Sequence, residues 1–107
     1  MSHYTEYITK DNGLRNKYDL LTAAITRKGE RLPKKHGEWY RIRAFDNNWL
    51  VYDTWNGCVY LYPNGAEPTG TDNMYGVVYA FSNINGGNND YSAIRPHMAD
   101  FWRGHIN

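Results

Sequence analysis

Residues able to carry out covalent or metal chemistry are few in this chain and badly spaced for it. Cys58 is the lone cysteine, so neither an internal disulfide nor a CxxC half-site for zinc can form. As a nucleophile it would need a histidine supplied from elsewhere, and an unpaired cysteine is more often a small buried hydrophobe. Four histidines, at 3, 36, 97 and 105, include no HxH or HxxxH pair that would direct two ring nitrogens to one metal. The glycine-rich stretch Asn85-Gly86-Gly87-Asn88-Asn89 is not followed by Lys-Ser or Lys-Thr and so is no phosphate-binding P-loop. Asp46 and Asp53 are the acids of the central segment, and Asp53 is expected opposite Arg41, as an ion pair and not as a proton donor. These residues imply no cofactor, no metal and no catalysis.

Binding chemistry is better represented. Aromatic residues make up 16% of the sequence, with 4 Trp, 10 Tyr and 3 Phe. A basic run holds Arg27, Lys28, Arg31, Lys34 and Lys35, with His36, Arg41 and Arg43 beyond it. The net charge of +1 hides an asymmetry, since no Lys or Arg occurs between Arg43 and Arg95 while Asp46, Asp53, Glu67, Asp72 and Asp90 all fall there. Either the basic and acidic halves pack against each other, or they present two electrostatic faces to a partner.

The elements that position these residues read from the middle outward. WYRIRAF (39–45) alternates as a half-buried strand does, and Asp46-Asn47-Asn48 supplies a turn. WLVYDTW (49–55) and CVYLY (58–62) flank Asn56-Gly57, a dipeptide suited to a two-residue type I′ hairpin turn. MYGVVYAF (74–81) reads as a fourth strand, and the polar stretch 82–90 as a loop. Leu14, Tyr18, Leu21 and Ile25 form one apolar stripe, predicting a helix over 14–28 capped by Asp11 or Asn12 and ended by Gly29. Ser92 is placed to cap a C-terminal helix reaching Phe101 and Trp102, and residues 3–9 are a candidate edge strand. The fold class is therefore α+β: a single domain over 1–107, with an antiparallel meander of about four strands and both helices on one face. The N-terminus lacks an apolar signal core and no apolar run is long enough to span a bilayer, so the expected location is the cytoplasm, without membrane association.

Register sorts the side chains. A two-residue turn at Asn56-Gly57 sets Trp55 opposite Cys58 and Asp53 opposite Tyr60. A three-residue turn at 46–48 sets Arg41 opposite Asp53 and Trp39 opposite Trp55. One face then gathers Trp39, Arg41, Arg43, Phe45, Trp49, Val51, Asp53, Trp55, Cys58, Tyr60 and Tyr62. The other gathers Tyr40, Ile42, Ala44, Leu50, Tyr52, Thr54, Val59 and Leu61, carries no formal charge and should take the helices. The aromatic and arginine face is left wholly or partly open as the candidate partner-binding surface, unless long loops and termini cover it.

Three functional classes compete. The first is a non-catalytic protein that binds and inhibits or modulates another protein through the aromatic face, a character shared with small phage-encoded inhibitors of host or defence proteins. The second is nucleic-acid binding, with Arg27, Lys28, Arg31, Lys34 and Lys35 tracking phosphates beside stacking rings. The order of helix, strands and helix resembles the double-stranded RNA-binding domain in outline, but the second helix lacks a lysine cluster at its start, and MYGVVYAF lacks the basic start and glycine spacing of an RRM motif. The third is a small carbohydrate-binding module using Trp49, Trp55, Tyr60 and Tyr62. A near-neutral charge and the absence of catalytic spacing place protein binding first.

Overall fold

The computed structural model describes residues 12–63, 65–70, 77–81 and 94–97, with side chains from Lys17 onward. Helix α1 (Asn12–Lys28) leads directly into β1 (Glu30–Pro33), followed by β2 (Glu38–Arg43), β3 (Trp49–Asp53), β4 (Cys58–Tyr62) and β5 (Val78–Phe81). The strands form one antiparallel sheet in the order β1-β2-β3-β4-β5, a five-strand meander. The fold is thus α+β, with one strand more than expected. The added strand is β1, at residues 30–33; the candidate edge strand at 3–9 lies outside the described residues. So does most of the expected C-terminal helix, of which Ile94–His97 is described: Arg95–His97 form a single 3-10 turn.

α1 forms where the stripe predicted it. Tyr18, Leu21 and Ile25 point to the sheet and are buried, while Leu20, off the stripe, is 53% exposed. Arg27 and Lys28 occupy the last turn, where cations complement the carbonyl end of the helix dipole. Gly29 then makes the reversal into β1: its N–H donates to Ile25 O at 2.8 Å. A Cβ here would stand 2.4 Å from Ile25 O and 2.6 Å from Arg41 O, so only glycine lets the helix end this close to β2.

The helix-side core gathers Tyr18, Leu21, Ala24, Ile25, Ile42, Leu50, Val59, Leu61, Ala80, Phe81 and Ile94. The aliphatic face of the meander is therefore the one α1 covers, as its composition implied. A bulge in the β4–β5 pairing between Val59 and Tyr60 lets Ala80 and Phe81, neighbours in sequence, both reach this core.

Both hairpin registers differ from expectation by two residues. Arg41 lies opposite Val51 and Trp39 opposite Asp53; Asp53 lies opposite Cys58 and Val51 opposite Tyr60. The β2–β3 connection takes five residues, 44–48, because Asp46 and Asn47 both adopt left-handed backbone, at φ 52 and 60, and Ala44 N–H closes the loop onto Asn48 O. The β3–β4 turn takes four, Thr54 to Gly57, because the Asp53 side chain caps it and Gly57 N–H bonds Asp53 O at 2.8 Å. A shift by two preserves the facing of strand side chains, so the division into faces holds within β2, β3 and β4 although the pairs do not. Phe45, expected on the aromatic face, lies in the 3-10 turn after β2 and packs on the helix-side core instead.

The second face is closed over much of its area, so of the two alternatives left by the sequence, open or covered, the covered one holds for most of it. Leu32, Trp39, Val51, Cys58, Tyr60 and Tyr62 form a second buried cluster, with Trp49, Val77 and Tyr79 packed on it. All five residues of β4 are buried, so that strand is covered on both sides. The cover includes the segment 65–70: Pro68 is fully buried, Arg41 donates to Pro68 O at 2.7 Å, and Gly70 packs beside Leu32. No described helix is long and apolar enough to cross a membrane.

Candidate functional site

Two turns meet at one end of this second face. The β1–β2 connection, Lys34 to Gly37, lies against the β3–β4 turn. Thr54 N–H donates to Glu38 O at 3.0 Å, and Glu38 N–H donates to Thr54 Oγ1 at 2.9 Å. Gly37 has φ +71, and a Cβ on it would fall 2.9 Å from both Thr54 Oγ1 and Trp55 Cβ. Glycine is needed there twice over, for the backbone conformation and for the close approach. The turns thereby hold His36 against Trp55, ring centroids 5.0 Å apart and planes 31° from parallel.

Behind them opens a cleft of about 360 Å³, lined by Lys34, Lys35, His36, Trp39, Asp53, Trp55, Asn56, Tyr60 and Tyr79. Asp53 forms part of its wall but has little left to offer a ligand. Its Oδ1 accepts the N–H groups of Trp55 (3.0 Å) and Asn56 (3.2 Å), and its Oδ2 accepts Asn56 Nδ2 (2.8 Å) and the Tyr60 hydroxyl (2.6 Å). Four donors fill the lone-pair directions of both oxygens. Burial, reinforced by the bond to Asp53, pushes the Tyr60 phenol well above its ordinary value near 10. Burial likewise raises Tyr79.

The candidate partner-binding residues separate. Trp39, Asp53, Trp55 and Tyr60 line the cleft, but of these only Trp55 projects, at 65% exposure; it stands in the β3–β4 turn and not in strand β3. Tyr62 is buried under the same cover as Tyr60. Trp49 lies away from the cleft, its ring flanked by the guanidinium groups of Arg41 and Arg43 at 4.7 and 4.4 Å, with Nε1 buried and lacking an acceptor among the described residues. Arg41 does not pair with Asp53. It binds Glu30 across the β1–β2 pairing, Glu67 at 2.8 Å and Pro68 O.

The basic run separates too. Arg27 and Lys28 belong to α1, and Arg31, opposite Tyr40, points to the helix side and pairs with Glu38 at 2.8 Å. Lys34 sits 4.0 Å over the Trp39 ring and donates to Gly70 O. Lys35 is the exposed lysine at the cleft. The run is therefore not a continuous track.

The sequence places His36 with the basic cluster but does not mark Asn56 and Tyr79 as site residues. The legible signal is Asp53 three residues before Asn56-Gly57, because an Asp at that position can cap turn amides with its own carboxylate. Cys58, fully buried, donates its Sγ–H to Asn56 O at 3.6 Å. Among the described residues no cluster of three or more His, Cys, Asp or Glu is placed to hold a metal. No protein-family model matches this chain, and no curated protein or solved structure matches it significantly.

Proposed function

We propose that this chain is a non-catalytic binding protein that engages another protein through its paired turns, with Trp55 as the anchor. The observation that carries the reading is the placement of Trp55, a large indole left 65% exposed on a turn tied down by Asp53, Gly37 and Thr54. Exposed tryptophans on rigid supports dominate interface energetics, because they bury a large area and little conformational freedom remains to be lost on docking. A projection of this kind suits a protein that inhibits or modulates by occupying a surface of its target. Nucleic-acid tracking is less favoured because the five basic residues are dispersed, and carbohydrate stacking because Tyr60 and Tyr62 are buried.

The test is affinity capture from the producing cell and from its host, with nuclease treatment, followed by reconstitution of the captured protein with the purified chain. A stoichiometric complex that Trp55→Ala weakens by about 2 kcal/mol or more, without lowering the melting temperature, supports the proposal. A complex indifferent to Trp55, or one that dissolves on nuclease treatment, defeats it.

A further inference from the structure

We infer that the cleft beside Trp55 binds a single nucleotide, a flat ring carrying a phosphate, either free or as one unit of a strand. This goes beyond the proposed protein partner and stands or falls separately from it. The cleft's volume of about 360 Å³ lies in the range of small-ligand sites. Five rings line it, of which Trp39 and Tyr60 are buried, so the surface a base can reach is made by Trp55 with His36 packed beside it, and by Tyr79. An aromatic platform takes any base, because every base presents a π face.

The polar chemistry favours an anion. Asp53 is the only acidic residue among the described residues of the lining, and its four hydrogen bonds leave it no acceptor site for a ligand. The positive group that remains is the Lys35 ammonium, next to His36 at the rim. Lys34 is already engaged with Gly70 O and the Trp39 ring, so Lys35 is the exposed ammonium of the cleft, enough for one phosphate. Lys34 and Lys35 are the only cations among the described residues of the lining, so a second and third phosphate would find no partner there. The site is therefore sized and charged for one nucleotide and not for a tract.

The experiment titrates the full-length chain by calorimetry with adenosine 5′-monophosphate, thymidine 5′-monophosphate, adenosine, inorganic phosphate, an oligothymidylate of about eight units and the acidic peptide acetyl-Asp-Glu. Both monophosphates should bind, adenosine about tenfold more weakly, and inorganic phosphate not measurably. Lys35→Gln and Trp55→Ala should each weaken the monophosphates about tenfold with unchanged melting, and the salt dependence should correspond to about one phosphate contact. An oligomer no tighter than the monophosphate assigns a free nucleotide. An oligomer about tenfold tighter, still lost in both variants, assigns a nucleotide within a strand. Absence of nucleotide binding at millimolar concentration, binding unchanged in both variants, or binding of the acidic peptide alone overturns the inference.

Discussion

The Tyr60 hydroxyl donates to Asp53 Oδ2 at 2.6 Å, joining the middle of β4 to the turn that precedes it. Both residues are almost fully buried, Asp53 at 3% and Tyr60 at 2% exposure. Asp53→Ala leaves four donors without their acceptor, two of them backbone amides of the turn, and should cost about 3 kcal/mol or more. Tyr60→Phe removes one donor and should cost about 1 to 2 kcal/mol. Urea denaturation of the two variants gives the comparison, and equal losses would mean that the carboxylate does not organise the turn.

The same burial makes stability sensitive to alkali. Tyr18, whose hydroxyl donates to Gly57 O at 3.1 Å, and Tyr60 both have pKa values raised above the ordinary value near 10, chiefly by burial. The unfolded chain releases these protons first, so the contribution is complete below about pH 10 and is lost as pH rises beyond it. Each tyrosine adds a slope of up to about 1.4 kcal/mol per pH unit. Urea midpoints should be flat from neutral pH to about pH 10 and then fall, less steeply in Tyr60→Phe. A flat profile beyond that point would contradict the burial of both phenols.

Gly29 and Gly65 separate steric need from backbone preference. Gly65 has φ +74, and a methyl placed on its Cα would meet nothing within 4 Å among the described residues, so Gly65→Ala should cost only the left-handed penalty, about 1 to 2 kcal/mol. At Gly29 the methyl would meet two carbonyl oxygens, neither of them a yielding side-chain tip. Gly29→Ala should cost clearly more than Gly65→Ala, and thermal melts of the pair decide the order.

Leu20 and Leu21 are sequence neighbours on opposite sides of α1. Leu21→Ala should destabilise by about 2 to 5 kcal/mol, since the side chain is fully buried, whereas Leu20→Ala should stay within about 0.5 kcal/mol. A large effect at Leu20 would show that α1 carries a further packing partner on its outer side.

Much of this arrangement is legible in the sequence because alternation survives errors of two. Ile42, Leu50, Val59 and Leu61 belong to the helix face by periodicity alone, and they lie there even though both turns are longer than the shortest ones their residues allow. Turn length is not legible, since it depends on the Asp53 carboxylate capping Trp55 and Asn56 and on two consecutive left-handed residues at Asp46 and Asn47. β1 escapes notice because ERLP has one inward apolar residue, Leu32, and ends in proline, as an edge strand can. The closing of the aromatic face is hidden for a different reason. Periodicity reports which residues share a face, but the path of the segment that brings Pro68 and Gly70 over Arg41 and Leu32 is not periodic. With it goes the exposure of Tyr60 and Tyr62, leaving Trp55 as the ring that projects.

The consecutive strand order also governs how fast the chain finds its structure. Each of the first three strand pairings closes a connection of only four or five residues, while β4 and β5 must bridge the fifteen residues 63–77. Short closures lose little chain entropy, so β2, β3 and β4 can zip from the centre before the long connection is drawn across the second face. Substitutions in the β2–β3–β4 hairpins, such as Leu50→Ala, should then slow refolding, whereas Pro68→Ala should mainly accelerate unfolding. Stopped-flow rates for the two variants measure the order of assembly, and a refolding rate lowered by Pro68→Ala as much as by Leu50→Ala would reverse it.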